Sequence, residues 1–166
     1  GECIEVITHD ELGGIRPHAM EVRTIGGHYH LFASGKRTGD SLSTFYTKNL
    51  TTGDDLNCAV SGTHLIAHIR AGTDLTVDNS GGYVYYGSNG WITGFELEAT
   101  GNNYCPKQSY KRSYRWSSTS TTRHRKAHAI EVSREDDDIM YVVSASSNVV
   151  QKIQITGDAT DDLISV

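Results

Sequence analysis

The segment His18-Ala19-Met20-Glu21-Val22 recurs as His128-Ala129-Ile130-Glu131-Val132, 110 positions further along the chain. Midway between them lies Thr73-Asp74-Leu75-Thr76-Val77, which keeps the same apolar positions. The register then holds without gaps. Gly26-Gly27 matches Gly81-Gly82 and then Asp136-Asp137, and each is followed by an apolar run: Tyr29 to Phe32, Val84 to Tyr86, Ile139 to Val142. Cys3 falls on Cys58 and Thr8-His9 on Thr63-His64 at the same spacing. A threefold tandem repeat restricts the chain to folds that stack or circle one supersecondary unit. The expected organisation is a single domain over 1–166, with units 1–55, 56–110 and 111–166.

Each unit reads as strands. His18, Met20 and Val22 alternate with Ala19 and Glu21, the period-two pattern of a strand with two unlike faces. A short turn joins it to a nearly continuous apolar strand, which predicts a hairpin whose second strand is covered on both sides. A third strand is expected at Leu42 to Tyr46, Trp91 to Leu97 and Val149 to Ile155. Cys3 to Ile7 is the expected fourth strand of the first unit, and Cys58 to Val60 or His64 to Ile69 that of the second. Leu163 to Val166 resembles the start of a further unit, because Thr160-Asp161-Asp162-Leu163 echoes the residues before Leu56. Seventeen glycines against two prolines, and nine tyrosines against three phenylalanines, suit strands and tight turns. Almost no helix is expected.

The fold class is therefore all-β, with three four-stranded repeats. From Asp74 through Phe95, and from Ala129 through Ile155, the pattern is small–apolar–x–Val, turn, apolar strand, apolar–x–apolar strand. It resembles blades of the NHL, lactonase and SMP-30 group of β-propellers. That resemblance implies a propeller-like stack and carries no catalytic signature. Three blades fall short of the usual four to eight or so. Either the chain is a partial propeller or half of a six-bladed ring closed by a two-fold dimer, or the threefold repeat is complete in itself, as in a β-trefoil or β-prism. The terminal strands are expected to pair with each other or with another subunit.

Several residues are candidates for chemistry. His18, Thr73 and His128 hold equivalent places at the start of the first strand of each unit, which in a propeller lines the channel; the plain alternative is repeated packing. Tyr85, Asn89 and Trp91 form an aromatic and amide group around a Gly-Ser-Asn-Gly turn. Tyr110 to Lys126 is the one strongly basic stretch, and Arg112, Tyr114, Arg115 and Trp116 in it suit a sugar or an anionic polymer. The run Ser117 to Thr122 within it reads as a flexible loop, and the plain alternative for the whole stretch is a long outer loop. His28 and His30 alternate on one strand, but two ligands are too few for zinc. Asp136-Asp137-Asp138 lacks the spacing of a calcium loop and reads as a solvated turn. No metal or cofactor is expected.

A net charge of −5 argues against a general nucleic-acid binder, and no apolar run reaches the length of a membrane span. Asn49-Leu50-Thr51 fits a glycosylation sequon, and Cys3 with Cys58 is the expected disulfide. The expectation is a secreted, non-enzymatic binding protein, lectin-like or adhesive, with repeated sites for a glycan or anionic polymer. The alternatives are a metal-dependent lactonase-like hydrolase and a structural subunit that polymerises through its strand edges.

Overall fold

The computed structural model describes residues 7–8, 10–12, 14–37, 43–59, 74–88, 91–115, 127–144, 150–155 and 164–165. These residues form twelve strands and no helix. Among them, no helix is long and apolar enough to cross a membrane. The strands make three antiparallel four-stranded sheets, each in simple chain order. The first holds β1 (Ile15–Ile25), β2 (His28–Arg37), β3 (Ser43–Asn49) and β4 (Asp55–Ala59). The second holds β5 (Asp74–Val77), β6 (Tyr83–Ser88), β7 (Trp91–Thr100) and β8 (Asn103–Arg115). The third holds β9 (Ala127–Val132), β10 (Ile139–Ser144), β11 (Val150–Gln154) and β12 (Ile164–Ser165). The leading strands lie beside one another, β1 against β5 and β5 against β9.

Local chemistry explains the hairpins. Gly26 and Gly27 both stand at positive φ, 58° and 83°, between the paired Ile25 and His28. A two-residue hairpin loop of the type I′ family needs that conformation at both positions, and glycine adopts it without steric cost. Between β5 and β6, Asp78 caps the turn, its carboxylate accepting the Gly82 N–H at 2.7 Å. Between β9 and β10, the Asp136 carboxylate accepts the Asp138 N–H at 2.9 Å.

Two cores lie in the seams between sheets. Phe32 and Phe45 of the first sheet pack on Leu75, Val77, Val84, Tyr86 and Phe95 of the second. Tyr85 and Ile92 from the other face of the second sheet pack on Ile130, Val132, Met140, Val142 and Ile153 of the third. Burial of each large apolar side chain contributes about 1.5–3 kcal/mol, so these seams dominate stability. On the far side of the first sheet, Leu12 covers Ala33 and Tyr46. The β6 strand is buried on both faces, as expected of a non-alternating run. In β10 only one face is covered: Met140 and Val142 are buried while Tyr141 and Val143 are exposed.

Several expectations are corrected. β4, which contains Cys58, closes the first sheet and is no part of a second unit that starts at residue 56. In the same way Ile164–Ser165 pairs with β11 and closes the third sheet, so it begins no further unit. The basic stretch is no loop at its start: residues 110–115 continue β8, paired with β7 as far as Trp91↔Arg115. The disulfide joins Cys58 to Cys105, across a Cα–Cα distance of 5.7 Å, which leaves no sulfur on Cys58 for Cys3. Cys3 lies outside the described residues. Asn49 is 3% exposed, with its carboxamide held on both ends by backbone, and a glycan has no room there.

Tyr85 owes its place to a glycine. A Cβ at Gly94 would sit 2.6 Å from the Tyr85 ring, so the ring lies directly on the β7 backbone. Gly94→Ala is expected to destabilise the chain by about 1–3 kcal/mol, because the buried ring has nowhere to move. Urea denaturation read by tyrosine and tryptophan fluorescence measures that loss, and an unchanged midpoint would refute the packing.

Candidate functional site

Three turns from two sheets gather at one end of the first seam. They are Gly26-Gly27 of the first hairpin, residues 50–54 between β3 and β4, and Gly101-Asn102 between β7 and β8. Asn49 organises the second: its Oδ1 accepts the N–H groups of Thr51 and Thr52 at 2.9 and 3.1 Å, an Asx turn. The same side chain reaches across the seam, its Nδ2 donating to the Asn102 carbonyl at 3.2 Å. In return the Asn102 Nδ2 donates to Asp54 Oδ2 at 2.7 Å, and these contacts hold the Asp54 carboxyl below the usual carboxylate range. The two loops are latched.

Between them lies a cleft of about 190 Å³, lined by Ile25, His28, His30, Thr52, Asn102 and Tyr104 among others. His28 and His30 alternate on β2, so period two puts both rings on the seam face. His30 is 2% exposed and meets the Tyr104 ring edge-on, with centroids 5.1 Å apart. Burial, and then the neighbouring His28, push its pKa below 6.5, so the ring is neutral at pH 7. A neutral imidazole offers one donor and one acceptor. Nδ1 of His30 has no hydrogen-bond partner among the described residues. An unpartnered buried nitrogen costs about 1–3 kcal/mol, so a ligand or water that pairs with it recovers that energy. Beside Ile25, the side chains around the cleft are imidazole, carboxamide, hydroxyl and phenol. Its volume matches roughly six waters, or one small polar molecule.

A second polar cluster sits between the leading strands. Arg23, 2% exposed, pairs with Glu21 on its own strand. It also donates to Thr76 at 3.2 Å, to Asn79 at 3.3 Å and to Glu131 at 3.4 Å. Burial raises the Glu21 pKa to about 7, against the pull of Arg23. Arg23 thus ties all three sheets together.

The sequence-predicted residues fall differently. His18 is exposed at an irregularity in β1, where the pairing slips between Pro17 and Ala19. His128 lies on β9, and Thr73 is outside the described residues, as are Asn89 and Trp116. Trp91 begins β7, and Arg112, Tyr114 and Arg115 lie along β8. Tyr85 is a packing residue at 2% exposure and not a surface ligand contact. Asp137 is more than a solvated turn residue: its carboxylate accepts the N–H of Asn79 at 2.7 Å and of Ser80 at 3.2 Å, across the second seam. Among the described residues, no three His, Cys, Asp or Glu side chains converge on a metal position. The sequence set His28 and His30 aside as too few ligands for zinc, yet both line the cleft, and nothing local marked Tyr104 or Asn102. A comparison with protein-family models and with curated proteins finds no match for the chain.

Proposed function

We propose that the chain is a non-enzymatic binding protein, built from three copies of one four-stranded module arranged as consecutive propeller blades. Its ligand is a small, neutral, hydroxyl-rich group such as a glycan terminus, held in the cleft between the first two sheets. The observation that carries this reading is the buried His30 imidazole, whose Nδ1 has no partner among the described residues, in a cleft lined also by Ile25, carboxamides, a hydroxyl and a tyrosine ring. Sugars are met by such combinations, an aromatic surface for C–H groups and amides or imidazoles for hydroxyls. The Cys58–Cys105 bond suits an oxidising, extracellular setting.

A panel of neutral glycans screened on an array, followed by calorimetry on the best of them, tests the reading. His30→Phe keeps the ring and removes the nitrogens, and is expected to weaken binding about tenfold while leaving the fold intact. Acid should do the same to the unmodified protein, because a protonated His30 loses its acceptor; affinity is held at neutral pH and falls as pH drops through the lowered pKa of His30. Failure of every neutral glycan to bind, or full affinity in the phenylalanine variant, overturns the assignment.

A further inference from the structure

The two seams share one construction. Across the first, Glu21 Oε2 accepts the Val77 N–H at 2.7 Å; across the second, Asp74 Oδ2 accepts the Ile130 N–H at 2.9 Å and Thr76 Oγ1 the Val132 N–H at 3.1 Å. Each link joins residues 56 apart. In each, a polar side chain on one leading strand caps a backbone donor on the next. Beside the acceptor stands a ring on the second strand: Glu21 is paired with Phe32 and Thr76 with Tyr85, and both rings are buried in the following seam. Phe45 and Ile92, on the third strands, fill out the same two faces.

The third sheet carries this face again. Glu131 is paired with Tyr141, and Val150 with Val143 beside it. Here no described sheet packs over them, and Glu131 meets only Arg23 and Arg134 through Oε1: Tyr141 is 41% exposed, Val150 65%, and the Glu131 side chain 46%. The opposite half of the seam is repeated too. Leu75 and Val77, then Ile130 and Val132, are buried against the preceding sheet, whereas Met20 and Val22, at the matching places on β1, are 71% and 44% exposed. The stack therefore ends in the two complementary halves of an interface it already makes twice.

We infer that the exposed face of the third sheet receives the exposed β1 face of a second copy of this chain. Glu131 then takes the Val22 N–H of the partner copy, as Glu21 takes that of Val77. A head-to-tail contact either closes or runs on as a filament. Two copies give six sheets, within the range of about four to eight in which such rings close, so both seams are made at once in a two-fold dimer. The inference rests on the module reading above and not on the cleft, so it stands or falls independently of any glycan result.

Light scattering coupled to size exclusion, without ligand, is the test. The unmodified chain is expected at twice its monomer mass. Met20→Asp and Tyr141→Asp each damage both seams of their own dimer, and each should raise the dimer dissociation constant at least tenfold. Both side chains are solvent-exposed in the single chain, so the secondary structure seen by circular dichroism should be retained. Mixing the two variants leaves one undamaged seam, between the Tyr141 face of the Met20→Asp chain and the Met20 face of the Tyr141→Asp chain, and should restore hetero-association. A monomer at micromolar concentration means that something else covers these faces and overturns the inference. So does a ladder of higher masses, a dimer indifferent to both substitutions, or failure of the mixture to recover.

Discussion

Reduction of the Cys58–Cys105 bond is expected to lower the melting temperature by roughly 10 °C. The bond closes a loop of 47 residues. Chain-entropy considerations assign about 4 kcal/mol to a loop of that length, through restriction of the unfolded ensemble. The bond also spans the first seam, tying β4 to β8 near the latched loops. Its loss therefore frees two sheets to separate as well as relaxing the unfolded chain. Differential scanning calorimetry with and without reductant, repeated on a Cys58→Ala/Cys105→Ala variant, measures the effect. The variant should melt low and ignore reductant, while Cys3→Ser should behave like the unmodified chain. Sensitivity to the Cys3 substitution alone would show that Cys3 holds the partner sulfur.

The second large effect is expected at Arg23. Removal of one partner from a buried ion pair costs about 3–5 kcal/mol, chiefly because the other charge is left without compensation. Arg23→Ala strands Glu21 and also removes the contacts to Thr76, Asn79 and Glu131. Adding Glu21→Gln removes the stranded charge, so the double variant should be less destabilised than Arg23→Ala alone at pH 8. The pH dependence has a definite sign. The Glu21 carboxyl titrates near 7 in the fold against an ordinary 4.5. From pH 4.5 upward the unfolded chain ionises first, so this group costs stability progressively as pH rises through 7, by about 3 kcal/mol at most. Denaturant titrations at pH 5 and pH 8 should show that loss in the unmodified chain and not in Glu21→Gln. An equal pH response in both would refute the assignment to Glu21.

Much of the fold is legible from residue order because its signals are local. Gly26-Gly27 can make a tight hairpin wherever it sits, and the alternation around Met20 reads as a strand with no knowledge of its neighbours. The turn residues 78–82 and 135–138 work the same way. What the residues hide is whatever depends on a seam. Cys3 and Cys58 share a repeat position, but a disulfide follows spatial proximity, and Cys105 is brought to Cys58 only when β8 docks on β4. The Asn49 sequon is a local signal cancelled by tertiary burial. Tyr85 looks like a surface aromatic until the missing side chain of Gly94, directly opposite, gives it a bed. For the cleft, His28 and His30 stand out in the chain, but Asn102 and Tyr104 arrive from a turn on another sheet. Met20 and Val22 carry the apolar signature of a core and are nonetheless exposed, because alternation marks a strand face and not what covers it.

The hydrogen bonds that Glu21 accepts from Val77 and Thr76 accepts from Val132 carry a thermodynamic implication for how the molecule comes apart. Each peeled-away sheet would leave amides on its neighbour stripped of their acceptors and a strip of aliphatic side chains wetted. Detachment at one seam thus weakens what remains, and partial melting is penalised relative to collapse of the whole stack. Cooperativity here is written into main-chain donors that no single sheet can satisfy for itself.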